Sequence, residues 1–272
     1  MSHTVTLHIR RTHGWADYVV TVADDAYVLD ALEAAGRQDP TLLFRHSCHH
    51  ASCGSCGLRV NGRERLACST RIDEVWRPGR KLRLEPLRNL PLLGDLLVDL
   101  GPVAARIETV GLPLIRAVEP EVVHGRIAPC PSPGEGGGEG SSIALASPVN
   151  QGGEPAPTCP PVKAEPGATY PSRPANLIRF ESCIECGLCI SACPVAGSDA
   201  RYWGPAALAA AARVAAEPRG RDVGAALEQV DGEDGLWRCH GVFECSEVCP
   251  SHVDPAGAIM GLRRLRLGGH GR

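Results

Sequence analysis

Long apolar runs are missing from this 272-residue sequence: no stretch reaches the roughly 18–20 residues that a membrane span requires. Charge of one sign is missing too. The 28 Lys and Arg stand against 31 Asp and Glu, a formal net charge of −3. No basic field therefore points to nucleic acid, and no acidic tail points to a solvating segment. Lysine is nearly absent, with only Lys81 and Lys163 beside the arginines. With abundant Ala, Gly and Pro, this reflects a GC-rich prokaryotic genome. Met1 to Arg11 alternates polar and apolar residues without a long apolar centre, so neither a secretory nor a transit segment is expected. Any membrane contact is expected to be peripheral, through partners.

What the chain does hold is cysteine, 13 in all. A protein in a reducing cytosol keeps cysteines for metal ligation or catalysis rather than for disulfides. Their setting follows from the pattern around them. Residues 3–11 and 16–22 alternate with period two, as half-buried antiparallel strands do. Asp24 and Asp25 offer an N-cap to a helix beginning near Tyr27, with Val28, Leu29, Leu32 and Ala35 on one face and Gly36 at its end. Leu58–Val60 and Glu64–Ala67 around Asn61-Gly62 predict a hairpin with a two-residue primed turn, and Lys81–Glu85 a further strand. This order suggests an α+β sheet crossed by a helix.

Residues 119–175 are of another kind. Segments 131–142 and 154–161, dense in Pro, Gly, Ser and Glu, cannot bury enough apolar surface to offset chain entropy. They predict a linker or surface wrap. Beyond Ala175 the pattern turns helical. Pro205 opens an alanine-rich helix to about Ala216, Asp222–Val230 is a weaker helical stretch, and Asp254-Pro255 starts a helix through Leu265. The expected division is 1–100, an interdomain segment 101–175, and 176–272.

Eleven of the cysteines fall into spaced groups. Cys48, Cys53, Cys56 and Cys68 form C-x4-C-x2-C with a fourth cysteine after eleven intervening residues, the spacing of plant-type [2Fe–2S] ferredoxins. Gly54 and Gly57 would let the backbone approach the sulfides. A zinc site usually draws its ligands as two close pairs, which this three-plus-one arrangement does not resemble. His49 and His50 raise Rieske ligation, but four cysteines are already present, so these histidines are expected around the cluster rather than on iron. Cys183, Cys186, Cys189 and Cys193-Pro194 form C-x2-C-x2-C-x3-C-P, a run whose fourth cysteine serves the other cluster of a pair. The partner run is Cys239, Cys245 and Cys249-Pro250. Cys183, Cys186, Cys189 and Cys249 thus predict a [4Fe–4S] cluster. In the second run Val242 occupies the position of a ligand, and valine cannot bind iron. The three thiolates of Cys193, Cys239 and Cys245 predict [3Fe–4S], with a four-iron cluster on a non-cysteine ligand as the alternative. Cys130 and Cys159, beside prolines in the linker, are expected to be free thiols.

In order and spacing these groups resemble the iron–sulfur subunit of succinate dehydrogenases and fumarate reductases. Other stretches carry the resemblance as well: Asp39-Pro40-Thr41-Leu42 before Phe44-Arg45-His46-Ser47-Cys48; Leu87-Arg88-Asn89-Leu90-Pro91 with Asp95-Leu96-Leu97-Val98-Asp99; Gly204-Pro205-Ala206; and Cys239-His240. The resemblance implies an N-terminal β-grasp [2Fe–2S] ferredoxin domain and a C-terminal all-α ferredoxin-like domain with two clusters. It also implies a flavoprotein subunit with covalent FAD, and membrane anchor subunits, with or without haem b, at which quinone is reduced. Electrons would run from FAD through the two-, four- and three-iron clusters to quinone, at the cytoplasmic face of a prokaryotic plasma membrane. The reaction type would be that of succinate dehydrogenase (quinone). His240 matches the family position beside the three-iron cluster, where it would relay protons or donate to a quinone carbonyl, or else hydrogen-bond a sulfide or the backbone. The adjacent tryptophans common in the family after the Cys-Pro are replaced by Val195-Ala196-Gly197-Ser198-Asp199. Trp203 is then the nearby candidate for the quinone pocket, with packing as its plain alternative.

The sequence also lacks a flavin fingerprint and any acid–base pair or arginine clamp suited to a dicarboxylate, so succinate chemistry is assigned to the flavoprotein. Two other readings compete. One is a fumarate reductase or thiol-linked fumarate reductase subunit; the thiol-linked kind often adds cysteine-rich modules, whereas this chain ends at Arg272. The other is a structural zinc protein, which metal analysis separates at once.

Overall fold

The computed structural model describes residues 2–111, 182–216 and 223–268, with the side chains of 223–226 excepted. Cys130, Cys159 and the linker reading of 119–175 lie outside the described residues. The described residues belong to one compact unit, in which two lobes share a boundary.

The first lobe is built on a five-stranded mixed sheet. Strands β1 (Ser2–Arg11) and β2 (Gly14–Ala23) pair antiparallel along their whole length. β3 (Gly57–Val60) and β4 (Arg63–Leu66) form the hairpin, with Asn61 at φ 49° and Gly62 at φ 87°, as a primed turn demands. β5 (Lys81–Glu85) lies parallel to β1 and antiparallel to β3, giving the order β2-β1-β5-β3-β4. Helix α1 (Val28–Gln38) crosses one face. The alternation seen in the sequence puts Val5, Leu7, Ile9, Leu82 and Leu84 against Val28, Leu29, Leu32 and Ala35, all almost fully buried. This is the β-grasp arrangement.

Both ends of α1 differ from expectation. Its N-cap is Tyr27, whose amide donates to the Asp30 carboxylate at 2.8 Å, and Asp24 and Asp25 stay outside. Gly36 lies inside the helix, which runs on to Gln38. A helix-interior glycine costs about 1 kcal/mol and a good cap is worth about as much. Burying each large apolar side chain of α1 returns roughly 1.5–3 kcal/mol, so the core outweighs both local signals. Gly36 is bare for a packing reason: a Cβ there would meet the Phe44 ring at 3.1 Å.

A one-turn helix α2 (Ile72–Val75) and a short ribbon of β6 (Leu92–Gly94) and β7 (Leu97–Val98) complete this lobe. Buried Asp95, in the β6–β7 turn, ties that ribbon to the sheet. It accepts hydrogen bonds from the backbone amides of Thr12 (2.8 Å) and Leu43 (2.9 Å) and pairs with Arg11 at 3.1 Å.

The second lobe is helical. It comprises α3 (Gly101–Thr109), α4 (Leu188–Ala192), α5 (Pro194–Ser198), α6 (Gly204–Ala215), α7 (Val223–Val230), α8 (Glu244–Glu247) and α9 (Pro255–Gly268). Alanine-rich α6 is its axis, buried from Gly204 to Val214, and α3, α7 and α9 pack on it. Alanine's small side chain lets those neighbours approach closely. α3, within the stretch expected to be interdomain, buries Val103 and Ile107 in this helical core. Asp254 caps α9 as expected, accepting the Gly257 amide at 3.1 Å.

Candidate iron–sulfur sites

The first group of sulfurs sits at the edge of the sheet. Cys48 and Cys53 lie on the loop after α1, Cys56 precedes β3, and Cys68 follows β4 in a single 3-10 turn (Ala67–Ser69). The hairpin thereby brings Cys56 and Cys68 together, with sulfurs 3.3 Å apart. Backbone amides converge on the same sulfurs: Ser52 and Cys53 donate to Cys48 at 3.3 Å, and Ala51 donates to Cys68 at 3.2 Å. The amide of His50, followed by Cys53 and Ser52, lowers the Cys48 pKa to about 6. Burial pushes Cys56 in the other direction, to about 12. His50 holds the Cys48 carbonyl through Nδ1, while His49 turns towards Glu33 of α1.

The second group faces the first. Cys183 and Cys186 lie on the loop into α4 and Cys189 in its first turn, with Cys249 near them after α8. Burial, followed by the charges of Cys183 and Cys249 after an opposing amide bond from Leu188, pushes Cys186 up to about 12. Gly54 and Gly57, expected to make room for sulfides, make room for this loop as well. At Gly54 (φ 69°) a Cβ would sit 2.5 Å from the Ile184 carbonyl oxygen, and at Gly57 2.7 Å from Leu188. The two cysteine loops are thus in direct contact.

The third group is Cys193, Cys239 and Cys245. Burial and then the charges of Cys193 and Cys239 push Cys245 up to about 12. Cys189, raised well above the usual thiol value by burial, feels Cys245 as well as its own group, so groups two and three adjoin at that residue. Val242 is exposed, as are His240 and Phe243 beside it. Trp203 lines a cleft of about 540 Å³ with Ile190, Ala196, Ala206 and Arg106, and His240 lies outside that lining.

Two residues without a motif of their own, Asn89 and Arg263, hold these groups in position, and a third, Tyr202, is buried beside them. Asn89 (φ 62°) donates from Nδ2 to the carbonyls of Ile190, Ser191 and Cys193 at 2.9, 3.2 and 3.0 Å, capping the end of α4 from the first lobe. Arg263 of α9 donates to the carbonyls of Leu236 and Cys239 at 2.5 Å each. Tyr202, 1% exposed, carries a hydroxyl that lacks a hydrogen-bond partner among the described residues. Burial raises its pKa, and the next influences are the charges of Cys239 and Cys193. Asn89 lies in the Leu87–Pro91 stretch that carries the family resemblance, but nothing local marks it, or Arg263 or Tyr202, as a neighbour of the cysteine segments.

The donor chemistry fits iron–sulfur groups. Every candidate ligand is a soft thiol, they are gathered in fours and a three, and burial with mutual repulsion disfavours the thiolates of Cys56, Cys186, Cys189 and Cys245 until a cation binds. Amides aimed at sulfur are the usual surroundings of such centres.

Fold and sulfur groups together define a two-domain ferredoxin-type protein, and the comparisons agree. Residues 6–105 match the 2Fe-2S iron-sulfur cluster binding domain family, and residues 179–253 the 4Fe-4S dicluster domain family. The chain is 32% identical to the fumarate reductase iron-sulfur subunit of Haemophilus influenzae, over 89% of this chain and 82% of that one. Against the protein of the same name from Mycobacterium tuberculosis the identity is 34%, over 89% and 81%. Against the mitochondrial succinate dehydrogenase [ubiquinone] iron-sulfur subunit 1 of Oryza sativa it is 30%, over 92% and 75%. In fold, the chain is similar to a chain of the Mycobacterium smegmatis Sdh1 complex in the apo form, with a TM-score of 0.71 and 24% identity, covering 100% of this chain and 98% of that one. The chain belongs to the family of succinate dehydrogenase and fumarate reductase iron–sulfur subunits.

Proposed function

We propose that this chain is the electron-transfer subunit of a succinate:quinone oxidoreductase. It would hold [2Fe–2S] on Cys48, Cys53, Cys56 and Cys68; [4Fe–4S] on Cys183, Cys186, Cys189 and Cys249; and [3Fe–4S] on Cys193, Cys239 and Cys245. Once bound, these groups supply the one-electron carriers between FAD on a flavoprotein subunit and quinone at a membrane anchor. The observation that carries the reading is contiguity: the first two cysteine loops touch at Gly54 and Ile184, and the second and third groups adjoin at Cys189.

The residues around the sulfurs support it. Asn89 and Arg263 fix backbone at two of the groups, and amides at the first group stabilise negative sulfur. Exposed Trp237, Val242 and Phe243 leave apolar surface near the third group, suited to a membrane-anchor partner. Among the described residues no helix is long and apolar enough to cross a membrane, which leaves anchoring to that partner. We place the subunit peripherally at the cytoplasmic face of a prokaryotic plasma membrane, keep 1–100, 101–175 and 176–272 as its divisions, and assign His240 and Trp203 to the quinone end. Fumarate reduction is the second reading, favoured by the names of the Haemophilus and Mycobacterium tuberculosis relatives.

EPR of the complex purified with its flavoprotein and anchor tests the proposal. A three-iron signal in the oxidised state that vanishes on reduction is expected, with about nine iron ions per chain. A four-iron signal in its place, or zinc in place of iron, sinks the cluster assignment. Succinate:quinone and quinol:fumarate rates on the same preparation rank the two directions.

A further inference from the structure

We propose that Glu33, His46 and His49 form a second kind of metal site, for a borderline divalent cation of the zinc class, on the outer face of the first cysteine loop. The three groups come from two elements. Glu33 lies on the exposed side of α1, and the histidines flank Cys48 on the loop that follows. One atom of each meets the other two: His46 Nδ1 and His49 Nε2 are 3.2 Å apart, His49 Nε2 and Glu33 Oε1 3.3 Å, and His46 Nδ1 and Glu33 Oε1 3.6 Å.

The triangle has the size of one face of a coordination tetrahedron. Zinc bonds of ~2.0–2.1 Å to nitrogen and oxygen set neighbouring ligands ~3.3–3.4 Å apart, leaving the fourth vertex open. Hydrogen bonding alone accounts poorly for three such edges. A neutral imidazole nitrogen carries at most one proton, and that proton lies in the ring plane along one direction. Two protonated nitrogens would set N–H against N–H at 3.2 Å, and one would leave a lone pair facing the carboxylate. A cation at the centre lets all three lone pairs converge on positive charge.

The surroundings hold the ligands in this pose. Phe44 stacks on His46 with centroids 5.3 Å apart, and His46 meets the His49 ring edge-on at 5.2 Å. His49 has φ 60°, a backbone conformation that L residues rarely adopt, and in this pose its ring meets Glu33 and His46. Two imidazoles and one carboxylate favour zinc, cobalt, nickel or copper over magnesium and calcium, which prefer oxygen throughout. Bound there, the ion would join α1 to the loop carrying Cys48.

The test uses the full chain with its iron sites loaded, equilibrated with zinc and then passed into metal-free buffer. About one zinc ion per chain is expected to remain. Its K-edge absorption should show a nitrogen/oxygen shell at ~2.0–2.1 Å and no sulfur at ~2.3 Å. Glu33→Gln, and the double change His46→Gln with His49→Asn, should lose the zinc and keep the iron; asparagine tolerates the left-handed backbone at 49. Should the double variant lose iron as well, Glu33→Gln decides alone. A wild-type chain that retains no zinc, a sulfur shell, or equal retention in the variants overturns the site. None of these readouts depends on the electron-transfer reading.

Discussion

Two single residues bear on the proposed third cluster. Val242 stands where the C-x2-C-x2-C spacing would put a ligand, and its side chain is exposed. On the proposed assignment, Val242→Cys should complete a four-thiolate set, raising iron from about nine to about ten per chain and replacing the expected three-iron EPR signal with a four-iron one. Tyr202 acts from the other side. Its buried hydroxyl is closed off from water among Cys239, Cys193 and Cys245. A donor directed at cluster sulfur stabilises the reduced, more negative state. Tyr202→Phe, which keeps the ring and its packing, should therefore lower the midpoint potential of this cluster in an EPR-monitored redox titration. An unchanged potential with the signal intact would remove Tyr202 from that role. Val242 was legible in the sequence because its significance is a matter of spacing. Tyr202 was not, because only packing brings it among those cysteines.

At the scale of elements, the first lobe depends on how its loops are fastened. Asp95 secures the β6–β7 ribbon to the β1–β2 turn and to Leu43, on the approach to the first cysteine loop. Burial pushes its pKa up, but the amides of Leu43 and Thr12 and the Arg11 guanidinium outweigh that, and the net shift is downward. A carboxylate with a depressed folded-state pKa contributes stability that is fully present above its unfolded value of ~3.9 and is lost as pH falls through the folded value. Asp95→Asn should thus cost about 1.5–3 kcal/mol near neutral pH, and the gap from wild type should close below about pH 4. Melting both proteins side by side across this range checks it, since acid loss of iron is common to the two. Helix α1 shows what element-level patterns can carry. Its buried face was evident from Val28, Leu29, Leu32 and Ala35, whereas its ends were not, because burial overrode the Asp24–Asp25 and Gly36 signals.

Across the whole molecule, the lobes differ in what keeps them folded. Each lobe encloses an apolar core, the first between the sheet and α1, joined by Cys186 and Leu188, and the second around α6. In the helical lobe the cysteines sit on or beside α4, α5 and α8, which have only five, five and four residues. Helices that short are unstable alone, and on the proposed assignment metal ligation adds to core packing in holding them. Chelating the iron under reducing conditions should remove much of the helical circular dichroism and leave the strand signal in place. Uniform loss of both would show that the lobes fold as one cooperative unit.

The cysteine groups, the strand alternation, the hairpin turn and the α+β class are readable along the chain, because each is a local spacing or a period that chain geometry imposes. Tertiary structure alone decided that Gly54 and Gly57 serve a loop-to-loop contact, that Asn89 caps a helix of the other lobe, and that Glu33 meets His46 and His49. Those partners are separated in the chain, and only the packing of α1, the sheet and α6 fixes the distances between them.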